Sequence, residues 1–297
     1  MRNIVLPLGA IIMVGAVCSG FFMSVRNGSD KDSGGTLSRR MGLGTGTWPP
    51  SYPALMSDGT SLSIDGVQAL TVGEQERNKT GIGLYSISRA DKKDTLSFAV
   101  DGNTVTHTAY SIHEVTWCQA KTAYFFVQSE KDSDGGEKAA IWQWSREKGF
   151  QQISKPHGPL TDLTVSLDGA VVMARAEGES YMGMAMSEDF LLVSTRSRHE
   201  KVVTYPDQST GATPLSMDEV LIDGHNKYGN QTYRWNLGDD VKPLVHDASI
   251  VSVATAAGRL FGIHKKAKGF EIVEMNDKMD GWTNVYSLPK SLEPKAN

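Results

Sequence analysis

Ile141-Trp142-Gln143-Trp144 runs through a polar turn, Ser145-Arg146-Glu147-Lys148-Gly149, into Phe150-Gln151-Gln152-Ile153. Further along, Thr232-Tyr233-Arg234-Trp235 runs through Asn236-Leu237-Gly238-Asp239-Asp240 into Val241-Lys242-Pro243-Leu244. Each is an aromatic-x-Trp strand, a turn of similar length and a second short strand. β-branched and aromatic runs bounded by Gly, Asp, Asn and Lys read as hairpins. Their recurrence in one chain reads as a repeat architecture.

Weaker copies lie on either side. Leu84-Tyr85-Ser86-Ile87 leads to Leu96, Leu191-Leu192-Val193 leads to Val202-Val203, and Phe270-Glu271-Ile272-Val273 leads to Val285-Tyr286. A hairpin with a small or acidic turn precedes each copy: Ser57–Leu62, Trp117–Thr122, Ser166–Val171, Ser216–Val220 and Ala256–Leu260. The unit is then about four strands in roughly 40–60 residues, the size of a propeller blade. Five units are visible, and a sixth has room between residues 60 and 110. From residue 53 onward no convincing amphipathic helix interrupts the pattern. The expected fold is all-β: a β-propeller of about five to six four-stranded blades over 53–297. One such sheet cannot bury both of its faces, whereas radial stacking covers them and leaves only short edges. Trp144 and Trp235, on third strands, are expected to fill the space between neighbouring blades.

Ser166-Leu167-Asp168-Gly169-Ala170-Val171-Val172 resembles the WD40-like repeat of TolB-type propellers, in which Ser-Pro-Asp-Gly precedes a short apolar strand. Ser57-Asp58-Gly59 is a shorter echo. Leu167 stands at the usual proline, and the Gly-His and Trp-Asp pairs of true WD40 repeats do not occur. The resemblance implies a propeller, and with it an extracytoplasmic interaction scaffold.

The N-terminus has a different character. Arg2 is the only charged residue before Arg26, and the intervening Ile4–Val25 is apolar. A charged start followed by an apolar run is an export pattern, also close to the length of a membrane helix. Three fates stay open for residues 1–25: a signal peptide cleaved after Gly20, a lipoprotein acylated at Cys18, or an uncleaved membrane anchor through residues 4–25. All three place the body outside the cytoplasm, periplasmic or attached to the envelope. Residues 26–52, rich in Gly and Ser and ending in Trp48-Pro49-Pro50, read as a flexible linker.

Composition excludes more than it selects. The 297 residues carry 30 Lys and Arg against 34 Asp and Glu, a net charge of -4. That is not the basic footprint of a nucleic-acid binder. Two cysteines make neither a disulfide scaffold nor a four-cysteine zinc site. Cys118 is expected to be a buried, inert thiol.

Reactive motifs are sparse. Gly178-Glu179-Ser180-Tyr181-Met182-Gly183 nearly spells a nucleophile elbow, but Met182 replaces its second glycine and the all-β chain offers no strand-to-helix turn. His107, His113, His157, His199, His225, His246 and His264 lack the paired spacing of a zincin, and read as surface or turn residues. Glu130–Glu137 has the acidic look of a calcium loop, but its twelfth position is Ile141, so it reads as a hairpin loop. Met182, Met184 and Met186 alternate; on one strand face, their soft sulfurs would suit Cu(I), although core packing is the commoner use. Glycosidase chemistry needs two carboxylates about 5–10 Å apart, and no pattern selects a pair. Catalytic residues are not assigned; no cofactor or metal is expected. The leading expectation is a non-enzymatic, exported propeller that binds a protein, as a scaffold or inhibitor. The alternatives are a carbohydrate-active hydrolase or lyase using channel carboxylates, and a periplasmic copper binder using the three methionines.

Overall fold

The computed structural model describes residues 53–176, 180–181, 184–185, 187–205, 209–226, 229–238, 242–243, 249–267, 269–276, 278–288 and 292. The expected signal and linker, residues 1–52, lie outside them. Among the described residues no helix is long and apolar enough to cross a membrane.

The body is a β-propeller built from successive antiparallel meanders. The first is β1 (Leu55–Ser57), β2 (Ser61–Ile64) and β3 (Val67–Thr71), followed by a one-turn helix α1 (Glu74–Lys79). Next comes a sheet of β4 (Ser86–Ala90), β5 (Lys93–Val100) and β6 (Asn103–Ala109). Four four-stranded sheets follow. They comprise β7 (Ser111–Cys118), β8 (Ala123–Lys131), β9 (Glu137–Ser145) and β10 (Gly149–Gln152), then β11 (Leu160–Val165) and β12 (Val171–Ala176). The latter pair is interrupted by a small hairpin, β13 (Ser180–Tyr181) and β14 (Met184–Ala185), and completed by β15 (Glu188–Ser194) and β16 (Glu200–Tyr205). β17 (Ser209–Ser216), β18 (Glu219–Asn226), β19 (Gly229–Asn236) and β20 (Lys242–Pro243) form the next. The last is β21 (Ile250–Ala256), β22 (Arg259–Lys266), β23 (Gly269–Met275) and β24 (Trp282–Tyr286).

First strands touch first strands in sequence around an axis: β7 with β11, β11 with β17, β17 with β21, and β21 with β1. The Asp58 carbonyl accepts from the Trp117 amide at 3.0 Å, which joins the first sheet to β7. The β4–β6 sheet stands outside this ring. Every residue of β4 is exposed, while Leu96 and Phe98 of β5 pack with Trp117, Tyr124, Phe126 and Trp144 on one face of the β7–β10 sheet.

Two expectations need correction. The first two sheets have three strands, not four. Leu84–Ile87 and Leu96 are not third and fourth strands of the first unit; Ser86-Ile87 begins β4, and Leu96 lies on its partner β5. The cause is α1, which separates the two sheets. Glu74 and Glu76 in its first turn and Arg77 and Lys79 in its last complement the helix dipole. Six residues are too few to show a helical period in the sequence.

The five first-turn hairpins fall where the repeats place them, between β1 and β2, β7 and β8, β11 and β12, β17 and β18, and β21 and β22. Each junction is packed by alternate strand residues. Phe125, Val127 and Ile141 meet Leu163, Val172 and Leu191 between the β7–β10 and β11–β16 sheets, all buried. Trp144 packs against Phe98 of β5 at 4.7 Å, and Trp235 packs against Tyr205 of the β11–β16 sheet at 5.7 Å.

Candidate functional site: the propeller axis and its polar clusters

At one end of the axis the first turns converge. The Ser166–Gly169 turn is built by its own side chains: Ser166 Oγ donates to Asp168 Oδ1 at 2.7 Å and accepts the Val171 amide at 3.0 Å. Asp168 also accepts the Ala170 amide at 2.9 Å. In the first sheet, Asp58 Oδ1 accepts the amides of Thr60 and Ser61 at 2.8 and 2.6 Å. The hydrogen bonds of these motif residues thus build the turns themselves.

These turns also plug the axis. Gly59 has φ of 86°, and a Cβ placed there would lie 1.9 Å from the Trp117 carbonyl. Only glycine satisfies both the backbone and that approach. The Gly59 carbonyl accepts the Ala257 amide at 2.9 Å. Thr255 Oγ1 on β21 donates to the Val165 carbonyl on β11 at 3.0 Å, reaching across the ring although β17 lies between those strands in order. The remaining space among Trp117, Cys118, Ser166, Leu167 and Ala257 is about 20 Å³, room for about one water.

Lower on the axis, first strands carry β-bulges. Register shifts fall between His113 and Thr116 on β7, Thr161 and Thr164 on β11, Ser209 and Gly211 on β17, and Ile250 and Ser252 on β21. Glu114 and Asp162 occupy the first two bulges with φ of 53° and 51°. A bulge increases local twist and re-aims the side chains it carries. Glu114-Val115-Thr116 and Asp162-Leu163-Thr164 repeat one pattern, acid-aliphatic-Thr, at the same distance before the turn. This signal was available in the sequence and is not part of the strand-pattern reading above.

Asp162 is held by an arginine. Arg175 Nε stands 3.2 Å from Asp162 Oδ2, and its Nη1 donates to Glu188 Oε1 at 3.2 Å. Arg175 Nη2 donates to the Ser209 carbonyl at 3.3 Å, and Ser209 Oγ donates to Glu188 Oε2 at 2.6 Å. Burial raises the Glu188 carboxyl pKa, against the opposing pull of Arg175 and Ser209. Both carboxylates are engaged by one guanidinium that bridges the β11–β16 sheet to β17, a clamp rather than an acid–base pair.

Asp223 forms a second polar pin. It is almost fully buried on β18 and accepts the Val253 amide at 2.8 Å and the hydroxyls of Thr232 and Ser252 at 2.7 and 3.1 Å. Ser252 Oγ also accepts the Leu55 amide at 3.0 Å, so the pin reaches from β18 through β21 to β1. Burial pushes the Asp223 carboxyl up to about 7, opposed by these donors.

The residues singled out in the sequence do not gather. Cys118 is buried and free, and burial raises its pKa. That is an unreactive thiol. Glu130–Glu137 closes the β8–β9 hairpin, with the Asp132 amide donating to the Gly136 carbonyl at 2.7 Å and Lys138 Nζ on Asp132 Oδ2 at 2.5 Å. Four histidines are strand or bridge residues rather than turn residues. His107 meets Gln128 at 2.6 Å, His113 the Leu160 carbonyl at 3.1 Å, His157 Glu200 at 3.2 Å and His264 Glu271 at 2.8 Å. His199 follows β15, the side chain of His225 is not described, and His246 lies outside the described residues. Among the described residues no three His, Cys, Asp or Glu converge as a metal site. Ser180 pairs with Ala185 and Tyr181 with Met184, so Ser180 stands in a hairpin, not a strand-to-helix elbow. Of the three methionines, only the backbone of Met184 is described, paired with Tyr181. Met182 and Met186 themselves lie outside the described residues.

Among solved structures, the chain is similar to the uncharacterized protein lmo1340 from Listeria monocytogenes EGD-e. The TM-score is 0.50 at 12% identity, covering 69% of this chain and 62% of that one. That likeness is one of fold. TolB from Acinetobacter baumannii matches with a TM-score of 0.44 at 17% identity, covering 69% of this chain and 52% of TolB. The β-propeller domain of the Trilobed protease from Pyrococcus furiosus matches with a TM-score of 0.35 at 11% identity, covering 76% and 82%. The chain thus spans just over half of TolB and about three fifths of the Listeria protein. No protein-family model matches the sequence. No curated protein matches it.

Proposed function

We propose that the chain is an exported, non-enzymatic β-propeller that binds a protein partner in the cell envelope. The observation that carries this reading is the plugged axis: Thr255 bonded to Val165 across the ring, with room for about one water among the turns. Among the described turns little room is left for a substrate at that end. The carbohydrate-cleaving alternative needs a pair of carboxylates that can reach a substrate. Asp162 and Glu188 are instead both engaged by Arg175. The copper reading rests on Met182 and Met186, which lie outside the described residues, and no observation favours it. Apolar side chains exposed at the sheet rims, among them Ile87, Val202 and Val285, offer contact surface to a protein.

Export rests on Arg2 and the apolar Ile4–Val25, and attachment on that segment or on acylated Cys18. The test is crosslinking of the tagged full chain in its native envelope, with fractionation alongside. One protein enriched in the envelope fraction, and a chain lacking residues 1–25 retained in the cytoplasm, are expected. Absence of any enriched protein, together with turnover of a glycan panel, overturns the reading.

A further inference from the structure

A second space lies away from the axis, on the β7–β10 sheet beside the β8–β9 hairpin. It is a cavity of about 250 Å³ lined by Gln128, Trp142, Gln152 and Pro156, with Glu130, Lys131, Asp132 and Lys138 at its rim. We propose that this cavity binds a single uncharged sugar unit, with the Trp142 indole as its platform.

Its polar groups are pre-oriented. Gln128 Nε2 donates to Glu130 Oε1 at 2.9 Å, and a carboxylate only accepts, which fixes the amide. Gln128 Oε1 therefore faces His107 Nε2 at 2.6 Å, and that nitrogen donates. His107 is itself held, stacked on Phe150 at 4.5 Å between ring centres. Gln152 Nε2 is fixed on the Ser154 carbonyl at 2.7 Å, leaving its own oxygen open to a hydroxyl. Trp142 is braced from behind by Phe126 and His107, with ring centres 6.4 and 5.2 Å away. An immobilised aromatic plane flanked by fixed amide and carboxylate oxygens matches the C–H face and equatorial hydroxyls of a sugar ring. Rigid support of this kind is what lets a small site bind without reorganising.

Charge and size narrow the ligand. The rim carries two carboxylates and two ammonium groups. Asp132 and Lys138 already neutralise each other, and Lys131 Nζ sits 5.2 Å from the centre of the Tyr110 ring. The site therefore has no net attraction for an anion or a cation. Its volume is below the roughly 300–1,000 Å³ of drug-sized sites, which suits one ring. Either a free monosaccharide or one unit of a glycan chain presents that chemistry.

The test uses the full chain with glucose, N-acetylglucosamine and its linear trimer, read by saturation-transfer NMR and tryptophan fluorescence. At least one sugar is expected to bind saturably, and Trp142→Ala to weaken it by about tenfold or more. Because Trp142→Ala disturbs Phe126, Gln152→Ala is the second variant; it is exposed, should melt as wild type does, and is expected to weaken binding about threefold. Tighter binding of the trimer than of the monomer assigns the site to a chain end or chain unit, and equal binding to a free sugar; either outcome supports it. Lack of saturable binding for all three sugars, or binding indifferent to both substitutions, overturns it.

Discussion

The junction between the β7–β10 and β11–β16 sheets and the junction between the β17–β20 and β21–β24 sheets join the same kind of element in two ways. The first is apolar throughout its core: Ala123, Phe125, Val127, Ile141, Val172, Leu191 and Val193 are all fully buried. The second has a smaller apolar cluster around Leu221, Val253 and Leu260, and sets Asp223 at its inner edge. Apolar burial is non-directional, so the first junction gains adhesion from area alone. A buried carboxylate with three donors costs desolvation but holds its partners in one register. The polar junction also holds the point where the ring closes, since Ser252 passes the connection on to Leu55. Few residues of β1 are available to bury there, and directed hydrogen bonds supplement what area cannot supply.

The largest effect is expected at the apolar junction. Phe125→Ala should cost about 3–5 kcal/mol, measured by denaturant unfolding. A loss below about 1 kcal/mol would mean that the junction has collapsed around the cavity or was not packed as described. Asp223→Ala comes next, at roughly 2–3 kcal/mol, because it strands the Val253 amide and two hydroxyls in the interior. If Asp223→Ala were stabilising, the pin would be no more than a desolvation cost.

A third measurement separates the two junctions by pH. The Asp223 carboxyl titrates at about 7 in the fold, whereas an unfolded aspartate titrates near ~4. Between those values the folded chain holds a proton that the unfolded chain has lost. Stability contributed by this group is therefore complete below about pH 4 and falls as pH rises toward 7. Asp223→Asn should remove that part of the slope, while Phe125→Ala should shift the whole profile without changing its shape. Smaller again is Ser252→Ala, expected to cost about 1 kcal/mol through the Asp223 and Leu55 bonds. Smallest is Lys201→Ala, which breaks an ion pair with the mostly exposed Asp218 and should leave the melting temperature unchanged. A large loss there would show that the outer strands contribute more to cohesion than either junction core.

Much of this comparison was legible in the chain. The β-branched and aromatic runs, above all the aromatic-x-Trp segments, identified the sheets, and all five first turns fall where the small and acidic residues sit. The acid-aliphatic-Thr triplets at Glu114 and Asp162 were equally present, yet their meaning is a bulge, and strand alternation cannot see the residue that breaks it. The candidate sugar cavity was illegible because Gln128, Trp142 and Gln152 look like ordinary strand residues until strand pairing brings β8, β9 and β10 side by side.

By itself, the sequence determined the strand-and-turn repeat and the separate character of residues 1–52, because periodicity, turn chemistry and an apolar run are local properties of the chain. It also marked Gly59 and Gly169 as turn glycines without revealing what surrounds them. Only the tertiary structure decided that Gly59 packs on the Trp117 carbonyl, that Thr255 closes the axis on Val165, that Arg175 engages both Asp162 and Glu188, and that Asp223 pins the closing junction. Each of these joins residues far apart in the chain, and burial and charge at such contacts depend on how the sheets stack, which no local pattern encodes.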